Sequence, residues 1–118
     1  MKADLNPVDI VQRQLDAYNK RDTEAFVALF SDDATTFDLG AASPSLSGKA
    51  QIRERYASLF SKSPTLHSHL VSRIAFGRVV VDLEKVTGRE GSTDTFEVLA
   101  IYEVEGSKIR SVHFVRKT

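Results

Sequence analysis

Four runs rich in Val, Ile, Phe and Thr fill the second half of the chain and constrain its fold more than any other feature. They span residues 66–76, 79–87, 95–105 and 108–117. Gly77-Arg78 and Gly106-Ser107 separate two pairs of them, and a two-residue connection with glycine first is typical of type II′ hairpins. A longer polar segment, residues 88–94, joins the two pairs. The second half is therefore predicted to form a four-stranded antiparallel meander.

These turns also predict which residues face each other across the strands. With residue 76 opposite 79, Arg73 lies opposite Asp82. With residue 105 opposite 108, the predicted pairs are Glu103 with Arg110, Ile101 with Val112, Leu99 with Phe114 and Glu97 with Arg116. Opposite charges meet in three of these pairs, which supports the register, although each pair contributes only about 0.2–1 kcal/mol.

The first half has helical signals. Asn6 is a good N-cap and Pro7 suits the first helical position, and a stripe follows at Val8, Val11, Leu15 and Tyr18. Asp22 can cap a second, short helix, and Ser47 a third over residues 49–60. A short strand is predicted over 34–38, followed by a loop over 39–47. Helices followed by a meander predict an α+β fold, with the helices covering one face of the sheet.

Composition narrows the class of function. The chain has 118 residues, the length of one domain spanning 1–118, and its 16 basic residues balance 16 acidic ones. No basic stripe suggests nucleic-acid binding, and no apolar run suggests a membrane span or a signal peptide. The absence of cysteine excludes thiol chemistry and disulfides. We therefore expect a cytoplasmic protein without nucleic-acid or membrane partners.

Two segments of the first half carry a resemblance to a known family. They are residues 27–35 (VALFSDDAT) and 47–54 (SGKAQIRE), accompanied by residues 11–22, Asp38 and Tyr56. In these segments the chain resembles the ketosteroid isomerases and the SnoaL-like proteins, which have the cone-shaped fold of nuclear transport factor 2. The resemblance implies three N-terminal helices on a curved, mostly antiparallel sheet, an apolar pocket for a small hydrophobic ligand, and a homodimer.

Within this resemblance, Asp38 matches the carboxylate that moves the proton in ketosteroid isomerases, and Tyr56 matches a tyrosine that supports the oxyanion hole. The two main oxyanion donors are replaced, because Gln14 stands in place of a tyrosine and Leu99 in place of a protonated aspartic acid. Removing one such donor costs roughly 3–4 kcal/mol. Steroid isomerase activity proper is therefore not expected.

The predicted pocket combines polar and apolar side chains. Gln14 and Tyr18 lie on the apolar stripe of the first helix. Together with Tyr56 they can donate hydrogen bonds to a ligand oxygen in place of the two missing donors. Alternatively, they are core residues whose hydrogen bonds are made within the protein. From the predicted register we place four apolar side chains on the pocket wall, at Leu99, Ile101, Val112 and Phe114. Asp38 lies between Phe37 and Leu39, and such apolar neighbours favour a general base; the alternative is a solvated aspartate at a strand end.

Two further groups of polar side chains lie on the predicted strands. His67 and His69 are predicted to share a strand face with Val71 and Arg73, and they could supply two metal ligands. The spacing of the sequence indicates no third ligand. We therefore expect neither a metal nor a cofactor. Asp82 and Glu84 also share a face, as an acid–base pair requires. With Arg73 opposite, a structural charge cluster is the favoured interpretation.

The chain is also expected to form a homodimer through its sheet. One face of the sheet is predicted to point away from the helices and to pair two copies of the chain, with His113 at the interface. Its apolar members are Phe96, Val98, Tyr102, Ile109 and Val115.

Two functions therefore stay open. The first is a small enzyme, an isomerase or lyase, that moves a proton on a hydrophobic ring compound with Asp38 as base. The second is a non-catalytic module that binds a small apolar ligand or serves only as a dimeric structural unit.

Overall fold

The computed structural model describes residues 6–117, which form three α-helices and six strands. In chain order these are α1 (Pro7–Asn19), α2 (Thr23–Val27), β1 (Phe30–Asp38), β2 (Leu46–Ser47), α3 (Lys49–Ser61), β3 (His67–Phe76), β4 (Val79–Thr87), β5 (Phe96–Glu105) and β6 (Lys108–Arg116). A 3₁₀ turn, Arg89–Gly91, lies between β4 and β5. The predicted elements are thus present, and β1 is longer than expected.

Local capping explains where the helices begin. The side chain of Asn6 accepts a hydrogen bond from the Asp9 backbone N–H at 3.0 Å, and that of Asp22 accepts one from the Ala25 N–H at 3.1 Å. The predicted cap at Ser47 is wrong. Ser47 belongs to β2, where it pairs with Thr35, so the cap position is taken by Gly48, whose φ is +91°, and the helix begins at Lys49 as predicted.

The strands form one mixed sheet in the order β2-β1-β6-β5-β4-β3. Strands β3 to β6 are the predicted antiparallel meander, and β1 adds to β6 in parallel. Helix α1 packs across β3, β4 and β5. We call the covered side of the sheet the inner face and the opposite side the outer face. The α+β architecture with helices on one face is confirmed.

The β3–β4 hairpin has the predicted register, with Phe76 opposite Val79 and Arg73 opposite Asp82. A bulge at Val71 breaks the alternation, because Leu70 pairs with Glu84 and Ser72 already pairs with Leu83. Arg73 therefore lies on the inner face, and the predicted face shared by His67, His69 and Arg73 does not exist. Both histidines are exposed.

The predicted register of β5 and β6 holds only next to the turn. Glu105 pairs with Lys108 and Val104 with Ile109, but Glu103 pairs with Ser111, so Arg110 is an extra residue. Beyond this bulge every predicted pair is shifted by one residue. The observed pairs are Tyr102 with Val112, Ile101 with His113, Ala100 with Phe114, Leu99 with Val115 and Val98 with Arg116. The predicted type II′ turn is also wrong here, because φ is positive at both Gly106 and Ser107, as in a type I′ turn.

The shift corrects which residues of β5 face the helices. A change of register by one residue moves side chains to the opposite face. Tyr102 and Ile109 are buried in the core, and Phe96 and Val98 line a cavity beneath the helices. Of the five residues expected on the outer face, only Val115 lies there. Leu99 and Ile101, expected on the pocket wall, are on the outer face instead.

The outer face carries the two most exposed apolar side chains of the sheet. Ile74 and Phe76 on β3 are 65% and 85% exposed. His113 also lies on this face, where its ring stacks on Phe37 with 4.8 Å between the ring centres. Among the described residues, no helix has the length and apolar character needed to cross a membrane.

Candidate functional site

A cavity of about 280 Å³ lies between helices α1 and α3 and the inner face of the sheet. Its size is at the lower end of the range for small-molecule sites. The lining side chains are Gln14, Leu15, Tyr18, Phe30, Tyr56, Leu59, Glu84, Val86, Arg89, Thr95, Phe96, Glu97, Val98, Tyr102, Val112, Phe114, Arg116 and Lys117. The wall is thus mostly apolar, with phenols and one buried carboxyl inside and charged groups at its edge.

The helices bring two tyrosines to this cavity. The ring of Tyr18 from α1 lies 6.4 Å from that of Tyr56 from α3, and both pack against the buried ring of Phe26, at 6.2 and 4.5 Å. Burial raises the pKa of both phenols above the ordinary value. At neutral pH they are therefore protonated and can donate hydrogen bonds to a ligand oxygen.

Tyr102 and Gln14 form a buried polar contact in the same wall. The Tyr102 hydroxyl donates to Oε1 of Gln14 at 3.3 Å. Burial also raises the pKa of Tyr102 well above its ordinary value. Gln14 thus has an internal partner while it lines the cavity, which combines the two interpretations that the sequence left open.

Glu84 is the carboxyl group inside the cavity. Its side chain comes from the inner face of β4, and the residue is only 7% exposed. One oxygen, Oε1, accepts a hydrogen bond from Ser68 at 2.9 Å. The other, Oε2, is the one buried side-chain polar atom among the described residues without a hydrogen-bond partner. Burial raises the pKa of Glu84 to about 7, and the bond from Ser68 partly opposes this rise.

A buried ion pair lies next to Glu84. Arg73 makes two hydrogen bonds to the fully buried carboxylate of Asp82, at 2.7 and 2.9 Å, and a third to Gln12 at 2.9 Å. The negative charge of Asp82 adds to the raised pKa of Glu84. Arg73 and Asp82 therefore satisfy each other, as the charge-cluster interpretation predicted. Glu84 makes no ion pair with Arg73, although the charge of Arg73 lowers the pKa of Glu84 and its interaction with Asp82 raises it.

The position of Ser68 is fixed from the end of α1. Asn19 donates to the Ser68 carbonyl at 3.0 Å and accepts from the Ser68 backbone N–H at 2.7 Å. This two-point contact ties the helix to the first residues of β3. It holds the Ser68 hydroxyl against Glu84 and so orients the carboxyl group.

Positive side chains lie at the edge of the cavity. Arg116 forms an ion pair with Asp38, and Lys117 forms one with Glu97 at 2.7 Å. Arg89 differs from both, because within residues 6–117 no acidic group lies at salt-bridge distance from it. Its guanidinium lies 5.9 Å from the centre of the Phe96 ring, which also lines the cavity.

Asp38 lies outside this cavity. Its side chain is 62% exposed and pairs with Arg116 at the end of β1. It borders a second, shallower depression with Leu39, Phe114, Val115 and Arg116. Phe37 and Leu39 do not bury the carboxylate as expected, since Leu39 is itself 60% exposed. The catalytic role of Asp38 stays a prediction.

The cavity thus unites five of the predicted ligand residues: Gln14, Tyr18, Tyr56, Val112 and Phe114. Leu99 and Ile101 are separated from it by the sheet. Tyr102, Arg89 and Glu84 also line the cavity, although the sequence patterns indicated none of them as a ligand residue. One signal was available for Glu84, because it alternates with Val80 and Val86 on β4 and so shares their buried face.

No metal centre is found in the described part of the chain. Among residues 6–117, no three His, Asp or Glu side chains are grouped so that they could hold an ion. His67 and His69 lie on β3 in exposed positions, away from the cavity. The cavity therefore offers phenols and a carboxyl group as its reactive side chains.

Comparisons with known proteins agree with this architecture. A family model described as a SnoaL-like domain matches residues 11–112. A cystatin-fold protein from Novosphingobium aromaticivorans is 27% identical, with a TM-score of 0.87 over 95% of this chain and 99% of that one. The comparison with curated proteins gave no match.

Two further solved structures share the fold at lower identity. A putative ketosteroid isomerase from Kribbella flavida is 15% identical, with a TM-score of 0.79 over 95% of this chain and 78% of that one. A putative polyketide cyclase from Sinorhizobium meliloti is 22% identical, with a TM-score of 0.72 over 93% and 99%. The family match and the shared cone-shaped fold lead to one conclusion: the chain belongs to the SnoaL-like domain family, with a nuclear transport factor 2-like fold.

Proposed function

We propose that the protein is a cofactor-free enzyme that moves a proton on a small, hydrophobic ring compound, with Glu84 as the general base. The observation that carries the proposal is the buried, unpartnered Oε2 of Glu84 in a mostly apolar cavity. A native structure rarely leaves a buried carboxyl oxygen without a partner. The fold shared with a putative ketosteroid isomerase and a putative polyketide cyclase supports the same class of chemistry.

The proposed step uses groups that line the cavity. Ionised Glu84 removes a proton from the carbon next to a substrate carbonyl, so that Glu84 becomes neutral and the substrate becomes an enolate. The phenols of Tyr18 and Tyr56 donate hydrogen bonds to the enolate oxygen. Glu84 then returns the proton to another carbon of the conjugated system, which completes an isomerisation. In a substrate that carries a leaving group in the β position, departure of that group from the enolate completes an elimination instead.

The ionisation of Glu84 suits this task at neutral pH. A base is most effective when its pKa lies near the working pH, and the pKa of Glu84 is raised to about 7. Glu84 must be ionised to accept the proton. The rate should therefore rise as the pH increases through about 7 and then level off.

Deuterium exchange tests the proposal without knowledge of the natural substrate. The probe is 2-tetralone, a two-ring ketone with acidic C–H bonds, followed by NMR in D₂O. Glu84→Gln keeps the shape of the side chain but cannot accept a proton, so the enzymatic exchange should fall by about 10²–10⁴-fold. Asp38→Asn is the matched control and tests the base suggested by the family resemblance.

The two variants separate the hypotheses. Loss in Glu84→Gln with most of the exchange kept in Asp38→Asn supports Glu84. The reverse pattern would restore Asp38 as the base. If the wild type binds ring compounds but exchanges no proton with 2-tetralone or with the β,γ-unsaturated ketone 3-cyclohexenone, the non-catalytic binding module becomes the better description.

A further inference from the structure

The polar groups at the edge of the cavity separate into paired and unpaired charges. Arg116 and Lys117 are neutralised by Asp38 and Glu97. Arg89 is half-buried and lines the cavity, and no described acidic side chain lies within salt-bridge distance of it. Charged groups that are removed from water are normally paired with an opposite charge, and Arg89 has no such partner among the described residues.

The turn that carries Arg89 is held in a fixed position. The backbone N–H of Glu90 donates to the hydroxyl of the fully buried Ser63 at 2.9 Å. Glu90 itself has φ +49°, a left-handed conformation that is unfavourable for a residue with a side chain. Gly88, with φ +74°, packs so closely that a Cβ atom would lie 2.3 Å from the Thr65 carbonyl oxygen. Strain of this kind persists only where the surroundings impose it, and it is concentrated at functional sites.

The same turn positions the guanidinium relative to the cavity. The guanidinium carbon of Arg89 lies 5.9 Å from the centre of the Phe96 ring, at the limit of a cation–π contact. Its positive charge reaches the interior, where it lowers the pKa of both Tyr18 and Tyr56 against the larger effect of burial. The cavity thus has an apolar body and an unpaired cation at one end.

We propose that the ligand of this cavity is an anionic ring compound, a small aromatic or alicyclic carboxylate whose ring fills the apolar body and whose carboxylate pairs with Arg89. This inference rests on the proposed function, since it assumes that the cavity is a ligand site, and it narrows the substrate to a class. A guanidinium binds a carboxylate through two parallel hydrogen bonds, which gives orientation as well as affinity. The acidic C–H group of the ligand would then be held toward Glu84.

Two compounds of nearly equal shape test the inference by isothermal titration calorimetry. The probes are 2-naphthoate and its neutral counterpart 2-naphthamide. The wild type should bind 2-naphthoate at least about tenfold more tightly, as expected for a charge-assisted contact. Arg89→Gln should lose this preference but keep its affinity for 2-naphthamide. Arg13→Gln is the matched control, because Arg13 is an exposed arginine of α1 that does not line the cavity, and it should keep the preference.

A positioning variant adds a readout independent of the charge of Arg89. Ser63→Ala removes the hydroxyl that holds Glu90, so it should reduce the preference for 2-naphthoate while Arg89 is still present. Equal binding of both compounds by the wild type, or an unchanged preference in Arg89→Gln, would overturn the inference.

The 2-tetralone exchange distinguishes this failure from failure of the proposed function. Exchange that depends on Glu84, without a preference for 2-naphthoate, would overturn the anionic class alone. If neither naphthalene compound binds and no exchange occurs, the cavity is not a ligand site and both proposals fall.

Discussion

The buried pair of Arg73 and Asp82 gives a prediction whose size follows from the structure. Replacing Arg73 by Met keeps the length of the side chain but removes both hydrogen bonds to the fully buried Asp82 carboxylate, at 2.7 and 2.9 Å. Removing one partner of such a pair leaves an uncompensated buried charge. The free energy of unfolding should therefore fall by about 3–5 kcal/mol, a large part of the roughly 5–15 kcal/mol of a typical domain.

Urea denaturation measures this loss, and two further variants isolate its cause. Arg78→Met removes a partly exposed arginine that pairs with Glu103 and Glu105, so it should cost at most about 1 kcal/mol. In the double variant Arg73→Met/Asp82→Leu no charge is left behind, and most of the stability should return. A single Arg73→Met variant no less stable than Arg78→Met would refute the reasoning, as would a double variant that recovers nothing.

Three other predictions concern the carboxyl group, the turn and the outer face. Because the folded-state pKa of Glu84 is raised from 4.5 to about 7, its stabilising contribution is complete below about pH 4.5 and is lost as the pH rises through about 7. Relative to Glu84→Gln, the wild type should lose on the order of 3 kcal/mol of unfolding free energy between these limits in urea titrations, and parallel curves would contradict this. Gly88→Ala should destabilise clearly more than Gly91→Ala, because both glycines have positive φ but only Gly88 faces a close backbone neighbour, Thr65; equal melting temperatures would contradict the packing argument. The homodimer implied by the family resemblance should appear as about twice the monomer mass in sedimentation, and Phe76→Glu, on the outer face, should abolish it; a wild-type monomer would remove the prediction.

Local features of the sequence predicted much of the fold. Asn6 and Asp22 cap helices as expected, since the hydrogen bonds involved lie within a single turn. The Gly77 turn placed Arg73 opposite Asp82 because a hairpin register depends on its own turn. These interactions join residues close in the chain, so their patterns can be read without the tertiary structure.

The faces of β5 could not be read in the same way. Residues 96–104 are apolar at most positions, so the alternation is weak, and only Glu97 and Glu103 mark the exposed side that Leu99 and Ile101 share. The pairing of β5 with β6 depends on the bulge at Arg110, and in the resulting register Leu99 and Ile101 lie on the outer face. Nothing in the residues of the turn signals this bulge. The predicted pocket wall was therefore half correct.

The position of the base depends on contacts across the whole molecule. Asp38 is the carboxylate that the resemblance suggests, yet its neighbours in the sequence do not bury it, and Arg116 pairs with it from another strand. Glu84 is buried because α1, β3 and β4 close around it. Its raised pKa follows from that burial, which no short stretch of sequence encodes.

The most direct measurement of the central claim is a pH titration of Glu84 itself. In protein labelled with ¹³C at the glutamate carboxyl groups, the resonance missing from Glu84→Gln identifies this residue in the NMR spectrum. We predict that its chemical shift titrates with a midpoint near pH 7, because burial raises the pKa of Glu84 to about 7, and that addition of 2-naphthamide shifts the resonance. A midpoint near the ordinary 4.5, with no response to the compound, would contradict the assignment of Glu84 as a buried base in a ligand cavity.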